Sequence, residues 1–396
     1  MIVNMDPAQK AAVMHGEGPA LVLAGPGSGK TTVITNRAVR IASEKCPPSR
    51  LLCVTFTNAA ADEMKERYIK LASSIAPDIA GEDADTPVFS TIHSFCNGII
   101  AEFEKRSGRR YVRIEGEHSP RNAILERIYK KYNGSVPDEA MTERLKGYLR
   151  REKGKDINAG GQPAKAPSGK NQIRRFTDIA REYARIKKEN SYIDFDDMVL
   201  MSLELLTSNE EIREWACGLF DYIQVDEAQD LSRSQYDVIR MIAGNTNIFI
   251  VADDDQSIFG FQGAEPQCLF DFAEEHPDAS RYELTRNFRS TPEIVNSSSA
   301  LVSVNKKRFP KNLYTTSEPL PGSVRTVFLP DAKAQALFCA EEAREAVASG
   351  ERLAVLYRNG VSSLPVRAAL TAAGIKYVTC GNCPRPWDQL TVRECF

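Results

Sequence analysis

The sequence of 396 residues has no long hydrophobic run and no secretory signal. Its longest apolar runs, such as residues 20–24 and 248–252, fall far short of the about 18 to 20 residues that a transmembrane helix requires. Residues 1–10 also lack the basic and then apolar segments of a signal peptide. These absences predict a cytoplasmic protein without a membrane partner.

Cysteine is present without the pattern of a disulfide framework. The nine cysteines are an odd number scattered along the chain, which predicts reduced and mostly buried thiols. Cys380 and Cys383, with Cys395 nearby, have the spacing of half a zinc site. Because neither a second pair nor a nearby histidine completes that site, a frayed C-terminus is favoured over a metal.

The chain has little net charge, but its charge is unevenly distributed. The formal net charge is −2, whereas residues 103–190 contain 23 Lys or Arg against 12 Asp or Glu. That segment therefore carries +11 and the remainder of the chain −13. A basic segment of this size is either a surface that follows nucleic-acid phosphates or a solvated helical face, and charge alone does not decide between them.

The order of apolar segments predicts more than one domain, since a typical domain has about 100 to 200 residues. Strands predicted at residues 20–24 and 51–56 alternate with helices at residues 31–42 and 59–71, which is typical of a parallel sheet. Strand patterns return at residues 222–225 and 248–252. An α/β lobe is therefore interrupted and later resumed.

The interruption and the end of the chain have patterns of their own. Within residues 103–190, helical patterns at 122–132 and 176–189 flank a loop at 154–170 that is rich in Gly, Lys, Pro and Ser. This predicts an α-helical insertion. A later pattern predicts the start of a second α/β domain, with strands at 324–328 and 353–357 and helices at 333–349 and 362–373.

Residues 21–32 carry the most informative motif, Leu-Val-Leu-Ala-Gly-Pro-Gly-Ser-Gly-Lys-Thr-Thr. A strand, a glycine-rich turn and a helix start match the phosphate-binding loop, apart from Ala24 where the strict pattern has glycine. The three loop glycines let successive N–H groups point at phosphate oxygens; they are Gly25, Gly27 and Gly29. Lys30 is expected to reach the β- and γ-phosphates and Thr31 to bind Mg²⁺, which predicts a nucleotide site.

Two later strands end in polar residues suited to phosphate chemistry. Asp226 and Glu227 follow the strand at 222–225, where Asp226 is expected to hold Mg²⁺ and Glu227 to activate the attacking water. Gln256 follows the next strand and is placed to sense the γ-phosphate. Phe259 and Phe261 lie on the same loop, where they either pack in the core or stack on nucleic-acid bases.

Eight motifs in sequence order closely resemble the UvrD/Rep/PcrA group of superfamily 1 DNA helicases. They are Gln9, the phosphate loop, the Thr-Phe-Thr-Asn segment at 55–64, Ser-Thr-Ile-His-Ser-Phe at 90–95, Asp-Phe-Asp-Asp at 194–197, Val-Asp-Glu-Ala-Gln-Asp at 225–230, Asp-Asp-Asp-Gln-Ser-Ile-Phe at 253–259, and Leu-Thr-Arg-Asn-Phe-Arg-Ser-Thr-Pro-Glu-Ile-Val at 284–295. The match extends over roughly residues 4–380.

The resemblance implies two RecA-like lobes in an α/β protein of the P-loop NTPase class. Residues 1–102 and 191–280 are expected to form the ATP-binding lobe, residues 103–190 its basic helical insertion, and residues 281–396 part of a second lobe. The resemblance also implies ATP hydrolysis with Mg²⁺ that drives 3′ to 5′ movement on single-stranded DNA and at junctions with duplex.

Residue roles also follow from the resemblance. Gln9 is expected to read adenine, Phe288 to stack on it, and Arg289 to act as an arginine finger. The nucleotide contacts are expected from Gln9, Ala24, Gly25, Pro26, Gly27, Ser28, Gly29, Lys30, Thr31, Thr32, Phe288 and Arg289, with Lys30, Glu227, Gln256 and Arg289 catalytic. The DNA path is expected along Thr57, Asn58, Thr91, His93, Phe259 and Phe261. Relatives often have Lys where this chain has Ala59, a replacement that removes a cation from this path.

The resemblance departs near the C-terminus. Two further motifs of the family, one of which carries a second phosphate-directed arginine, do not occur before Phe396. The sequence is thus expected to form an incomplete second lobe, whose exposed half-sheet stays unpaired or requires a protein partner. Two hypotheses follow: a DNA-dependent ATPase and helicase, or an ATP-gated DNA-binding subunit that is inactive as a motor without a partner or the missing motifs.

Overall fold

A computed structural model describes residues 5–80, 85–115, 120–158, 173–244, 247–258, 260 and 263–379. The chain divides into two compact units, Met1–Ser323 and Val324–Phe396. Phe259, Phe261, Cys380, Cys383 and Cys395 lie outside the described residues. Among the residues described, none of the helices has the length and apolar character needed to span a bilayer.

Strands and helices alternate along most of the chain. The strands are β1 (Ala20–Ala24), β2 (Leu51–Thr55), β3 (Val88–Thr91), β4 (Val112–Arg113), β5 (Tyr192–Ile193), β6 (Tyr222–Val225), β7 (Asn247–Ala252), β8 (Ser280–Leu284), β9 (Arg286–Asn287) and β10 (Tyr314–Thr315). The helices are α1 (Pro7–Val13), α2 (Lys30–Glu44), α3 (Asn58–Ile75), α4 (Ile92–Ser107), α5 (Pro120–Asn133), α6 (Glu139–Asn158), α7 (Phe176–Asn190), α8 (Phe195–Ser208), α9 (Glu210–Cys217), α10 (Arg233–Ala243), α11 (Gln267–Glu275), α12 (Pro292–Val302), α13 (Ala332–Ser349) and α14 (Leu364–Ala372).

The first unit is built on a six-stranded parallel sheet with the order β3-β2-β6-β7-β1-β8. In the register, Val22 of β1 lies beside Val251 of β7 on one side and Tyr282 of β8 on the other. Because all strands run in the same direction, the polar residues that follow β1, β2, β6 and β7 meet at one edge of the sheet. The predicted α/β fold with a parallel sheet is confirmed.

The four inner strands β1, β2, β6 and β7 are buried on both faces, which explains why their sequences are mostly apolar. Successive residues of a strand point to opposite faces. Leu21 and Leu23 accordingly join a core cluster with α4 and α8 to α11, whereas Val22 and Ala24 join a second cluster with α1, α2 and α3. This packing holds the phosphate-loop strand rigidly between two layers of helices.

The basic insertion has a hydrophobic core of its own. Leu125, Leu145, Phe176 and Tyr183 are buried together in it, on α5, α6 and α7. The short parallel strands β4 and β5 pair with each other and bring the two ends of the insertion together. The predicted loop at 154–170 begins too early, since α6 continues through Asn158; residues 159–172 lie outside the described ranges.

The first unit extends further than residue 280, where the ATP-binding lobe was expected to end. Strand β8 pairs along its whole length with β1 and completes the sheet, and the compact unit continues to Ser323. The apolar side chain of Leu284 is buried in the core of α1, α2 and α3. The pairing of β8 with β1 was not visible in the local sequence pattern, because it joins segments that are distant in the chain.

The second unit contains helices but, within residues 324–379, no strand. The predicted helices are present as α13 and α14, which pack together through Ala340, Ala343 and Leu370. Residues 324–328 and 353–357 were predicted as strands, and this prediction is wrong for the described structure. No strand within residues 324–379 pairs with either segment, and Phe328 and Leu356 are 91% and 93% exposed.

Candidate functional site

The phosphate loop lies between buried β1 and α2. Ala24 ends β1 in the core, and the backbone N–H of Gly25 donates to the carbonyl oxygen of Leu284 over 2.9 Å. Gly27 and Gly29 both adopt left-handed backbone angles, with φ of 67° and 83°. Residues other than glycine are strained at such backbone angles. The two glycines therefore allow the chain to turn tightly into the N-terminus of α2. Pro26, Ser28, Lys30, Thr31 and Thr32 complete the predicted loop.

Gln9, the residue predicted to recognise adenine, lies on α1 and contacts this loop. Gln9 is buried, and its side-chain Nε2 donates to the carbonyl oxygen of Ser28 over 2.8 Å. Asp6 caps the helix by accepting from the Gln9 backbone N–H over 2.8 Å. A Cβ added to Gly29 would collide with the Gln9 amide nitrogen, so glycine is required at this contact.

The two acidic residues after β6 face the start of α2. Burial, and then the neighbouring charge of Glu227, raise the pKa of Asp226 to about 7. Glu227 has a left-handed backbone with φ of 49°, a costly conformation for this residue type that is often associated with functional sites. Its Oε2 lies 2.8 Å from the Lys30 Nζ, so the catalytic lysine and acid predicted from sequence are in direct contact.

A hydrogen-bonded network joins this pair to the loop after β7. Gln229 donates its Nε2 to Glu227 Oε2 over 2.8 Å and accepts at its Oε1 from the Asp253 backbone N–H over 3.0 Å. Gln256 in turn donates its Nε2 to Asp253 Oδ2 over 2.6 Å. The expected general base and the expected γ-phosphate sensor therefore share a continuous set of contacts.

A cavity of about 580 Å³ opens at this edge of the sheet. Thr31, Asp226, Glu227 and Gln256 line it, as do residues 55–57 at the end of β2. The hydroxyl of Thr31 and the buried carboxylate of Asp226 are oxygen ligands of the kind that Mg²⁺ prefers. The raised pKa of Asp226 shows a buried acid that a cation would stabilise in its charged form, so the residues fit the metal.

The segment after β8 runs along the phosphate loop. Asn287 donates its Nδ2 to the Pro26 carbonyl oxygen over 2.7 Å, and the Phe288 N–H donates to the Gly27 carbonyl oxygen over 2.9 Å. The Phe288 ring is 44% exposed, and the Arg286 guanidinium lies 4.5 Å from its centre. Arg289 is exposed, and its Cβ lies next to Gly27, where a Cβ added to the glycine would be 2.9 Å away.

The described residues of the predicted DNA path lie at the ends of neighbouring strands. Thr57 and Thr91 each cap a helix, accepting from the backbone N–H of Ala60 and Ser94. Thr91 lies beside Thr55 in the pairing of β3 with β2, and the exposed Asn58 follows Thr55 by three residues. The structure thus gathers Thr57, Asn58 and Thr91 at one edge.

His93 lies in the first turn of α4 and packs on a ring that the sequence analysis did not assign. Its imidazole and the Phe195 ring have centroids 5.1 Å apart. Burial lowers the pKa of His93 below its usual value and favours the neutral imidazole. The other two predicted DNA contacts, Phe259 and Phe261, lie outside the described residues.

Sequence reasoning missed several residues that organise the site. Gln229 was identifiable, because it belongs to the same acidic motif as Glu227. Asn287 precedes the predicted Phe288 and Arg289 directly. Lys311, whose Nζ lies 2.6 Å from Asp253 Oδ1, had no signal, because a single lysine does not reveal which distant side chains it contacts.

Comparison with known proteins gives the family. A model of the UvrD/REP helicase N-terminal domain matches residues 5–277. "ATP-dependent DNA helicase PcrA" of Staphylococcus epidermidis RP62A and that of Bacillus subtilis 168 are each 30% identical over 390 residues, and that of Staphylococcus aureus Mu50 is 29% identical. These alignments cover 96% of this chain and 51% of each relative, so the chain spans about half their length. Because the family model covers well over half of the chain, this protein belongs to the UvrD/REP helicase family.

Proposed function

We propose that this chain is a DNA-dependent ATPase that uses ATP hydrolysis to move 3′ to 5′ along single-stranded DNA and to open junctions with duplex. The names of the similar PcrA proteins support ATP and DNA as its substrates. The direction of movement comes from the resemblance to the UvrD/Rep/PcrA group. The single observation that carries the proposal is the cavity in which Glu227 and Gln256 face the Thr55–Thr57 end of β2.

The roles proposed for ATP hydrolysis follow from the positions of the side chains. Lys30 binds the terminal phosphates, and Glu227 accepts a proton from the attacking water. Thr31 and Asp226 are the residues that would hold Mg²⁺, which neutralises phosphate charge when it is bound. Gln256 senses the γ-phosphate, and Arg289 stabilises the charge that develops during the reaction.

The coupling of hydrolysis to DNA rests on the shared edge of the sheet. Residues 55–57 line the same cavity as the proposed catalytic groups, so a DNA strand bound at Thr57 would lie close to the ATP site. Small shifts of that loop can therefore change both the grip on DNA and the geometry of Glu227. Repeated ATP cycles then alternate tight and loose binding of the strand.

The alternative hypothesis is an ATP-gated DNA-binding subunit that does not work as a motor by itself. The same residues then bind ATP and DNA, but productive cycling requires a protein partner. Membership of a helicase family favours the motor. The alternative nevertheless gives a different experimental result, because it predicts ATP binding without DNA-stimulated turnover.

The first experiment is steady-state ATP hydrolysis by the 396-residue chain, with and without an oligothymidylate. We expect strong stimulation by DNA, its loss in Lys30→Ala, and a fall in kcat of about 10²- to 10⁴-fold in Glu227→Gln, since that is the usual contribution of a general base. Glu66→Gln on the exposed side of α3 is the matched control, with wild-type turnover expected. ATP binding without DNA-stimulated turnover would instead support the alternative.

Direction of movement is tested separately. Partial duplexes with either a 3′ or a 5′ single-stranded tail are offered to the active chain with ATP. The proposal expects displacement only from the substrate with the 3′ tail. Equal displacement from both, or preference for the 5′ tail, would overturn the polarity while leaving the ATPase assignment intact.

A further inference from the structure

Three consecutive aspartates after β7 surround a lysine that comes from a distant part of the chain. The Lys311 Nζ lies 2.6 Å from Asp253 Oδ1, 2.6 Å from Asp254 Oδ1 and 3.0 Å from Asp255 Oδ2. The three carboxylates lie close enough together to suit a metal ion, but here the lysine ammonium contacts all of them. The Lys311 and Asp253 side chains are completely buried.

The contact is reinforced by the residues beside Lys311. Arg308 binds both oxygens of Asp255 over 2.8 and 2.7 Å, and the Phe309 N–H donates to Asp254 Oδ2 over 2.8 Å. Two cations thus stand against three carboxylates. A buried arrangement of this kind is costly unless every charge is paired, which predicts a tightly fixed local geometry.

The same segment also touches the phosphate loop and the strand before Arg289. A Cβ added to Gly25 would collide with the side chain of Leu313. Tyr314 in β10 pairs with Arg286 in β9, three residues before Arg289. Residues 308–315, which we call the clamp segment, therefore contact three separate parts of the proposed ATP site.

Asp253 transmits the position of Lys311 to the expected catalytic groups. One carboxylate oxygen accepts from Lys311, while the other accepts from the Gln256 amide over 2.6 Å. The Asp253 backbone N–H donates to Gln229, which contacts Glu227. Rotation of this carboxylate would therefore disturb Gln256 directly, whereas the Gln229 contact depends on the Asp253 backbone.

We propose that Lys311 is a positioning residue for ATP hydrolysis, which acts by fixing the Asp253 carboxylate against Gln256 and linking that loop to the strand before Arg289. The inference rests on the proposed ATPase function. Lys311 does not touch the reacting atoms in this scheme. Its contribution is to keep Gln256 in the geometry required for turnover, since small misplacements reduce rates strongly.

The test is a double-mutant cycle of Lys311→Met and Gln256→Ala, read as DNA-stimulated kcat and KM for ATP. We expect Lys311→Met to lower kcat by at least about 10-fold with little change in KM, because a misplacement of about 1 Å can cost about 100-fold. Adding Lys311→Met to Gln256→Ala should then change kcat by no more than about twofold, since both act through one contact. Losses that multiply, or an unchanged kcat in Lys311→Met, would overturn the proposal.

A conservative variant guards against failure to fold. Lys311→Arg keeps the charge but alters the fit among the carboxylates, so its kcat should fall while its melting temperature stays close to that of the wild type. Lys307→Met is the matched control, because this exposed lysine lies in the same region and contacts Gln267 instead of the aspartates. A Lys311→Arg protein with wild-type kcat would also count against the proposal.

Hydrogen exchange separates this proposal from the ATPase assignment. If the wild-type chain hydrolyses no ATP, the proposed function fails. The effect of Lys311 on the loop after β7 can still be measured by amide exchange at residues 253–258. These amides should exchange faster in Lys311→Met, or in Lys311→Arg if the first variant does not fold, and should be unchanged in Lys307→Met. Unchanged exchange in the Lys311 variant would show that the lysine does not position the loop.

Discussion

Two segments of almost the same composition have opposite environments in this protein. Strand β1 has the sequence Ala-Leu-Val-Leu-Ala, and residues 353–357 have Leu-Ala-Val-Leu-Tyr. The first is fully buried between two neighbouring strands of a sheet, whereas Leu356 in the second is 93% exposed. A pattern of apolar residues is therefore not sufficient to form a strand.

The difference lies in the neighbours that each segment has. Strand β1 pairs with β7 and β8, and helices cover both faces of the sheet. In the second unit, residues 351–357 and 375–379 line an apolar cleft of about 810 Å³ together with α13 and α14, and no strand pairs with them within residues 324–379. A strand is stabilised by its partners, which lie far away in sequence.

The largest expected effect comes from removing a leucine side chain in each segment. Leu21→Ala should lower the free energy of unfolding by about 2 to 5 kcal/mol, because it leaves a cavity in a packed core. Leu356→Ala should change it by about 0.5 kcal/mol or less, since this side chain is already in solvent. Urea unfolding followed by circular dichroism measures both. Equal losses would show that residues 353–357 are packed as deeply as β1.

This comparison also explains how much of the fold could be predicted from the sequence. Strands at residues 20–24 and 222–225 were predicted with their observed bounds, because short apolar runs bounded by glycine or acidic residues are typical of a buried parallel strand. Residues 353–357 carry the same local signal, but no strand within the described residues 324–379 pairs with them. Local patterns do not contain the pairing information, so the second unit was predicted less well.

The site shows the same division between local and distant information. Lys30 and Glu227 belong to contiguous motifs, so both could be assigned to a candidate ATP site from the sequence, and the structure places them 2.8 Å apart. Lys311 lies 58 residues from Asp253 in the sequence, and the residues around Lys311 do not predict the contact between the two side chains. A contact between residues so far apart in the chain is identified only by the structure.

A second prediction compares two glycines with similar backbone angles. Gly27 in the phosphate loop has φ of 67°, and a Cβ there would lie 2.9 Å from the Arg289 Cβ. Gly350 ends α13 in the second unit with φ of 73° and open space around it. Gly27→Ala should weaken ATP binding by about tenfold or more, because a left-handed alanine costs about 1 to 2 kcal/mol and the added methyl displaces its neighbours.

Gly350→Ala is the control for that prediction. It carries the same backbone strain, so the second unit should lose about 1 kcal/mol of stability, but ATP affinity should remain that of the wild type. Titration of each purified variant with a fluorescent ATP analogue gives both affinities. If the two substitutions weaken ATP binding equally, then backbone strain, and not crowding at the phosphate loop, determines the effect.

The smallest expected effect concerns a single charge at the start of a helix. Ala59 is exposed in the first turn of α3, directly after Thr57 and Asn58 of the proposed DNA path. Ala59→Lys should strengthen binding of an oligothymidylate at low salt. Each added phosphate contact should steepen the slope of log affinity against log salt by about 0.7, which is the counterion release expected for a single strand.

Ala332→Lys places the same charge in a comparable position of the second unit, in the exposed first turn of α13. Net charge and helix position are then matched, so only the location of the lysine differs between the two variants. We expect the salt slope of Ala332→Lys to equal that of the wild type. Fluorescence anisotropy over a salt series measures both slopes. A steeper slope in both variants would mean that the added net charge causes the change. That result would contradict the proposed binding of single-stranded DNA at the N-terminus of α3.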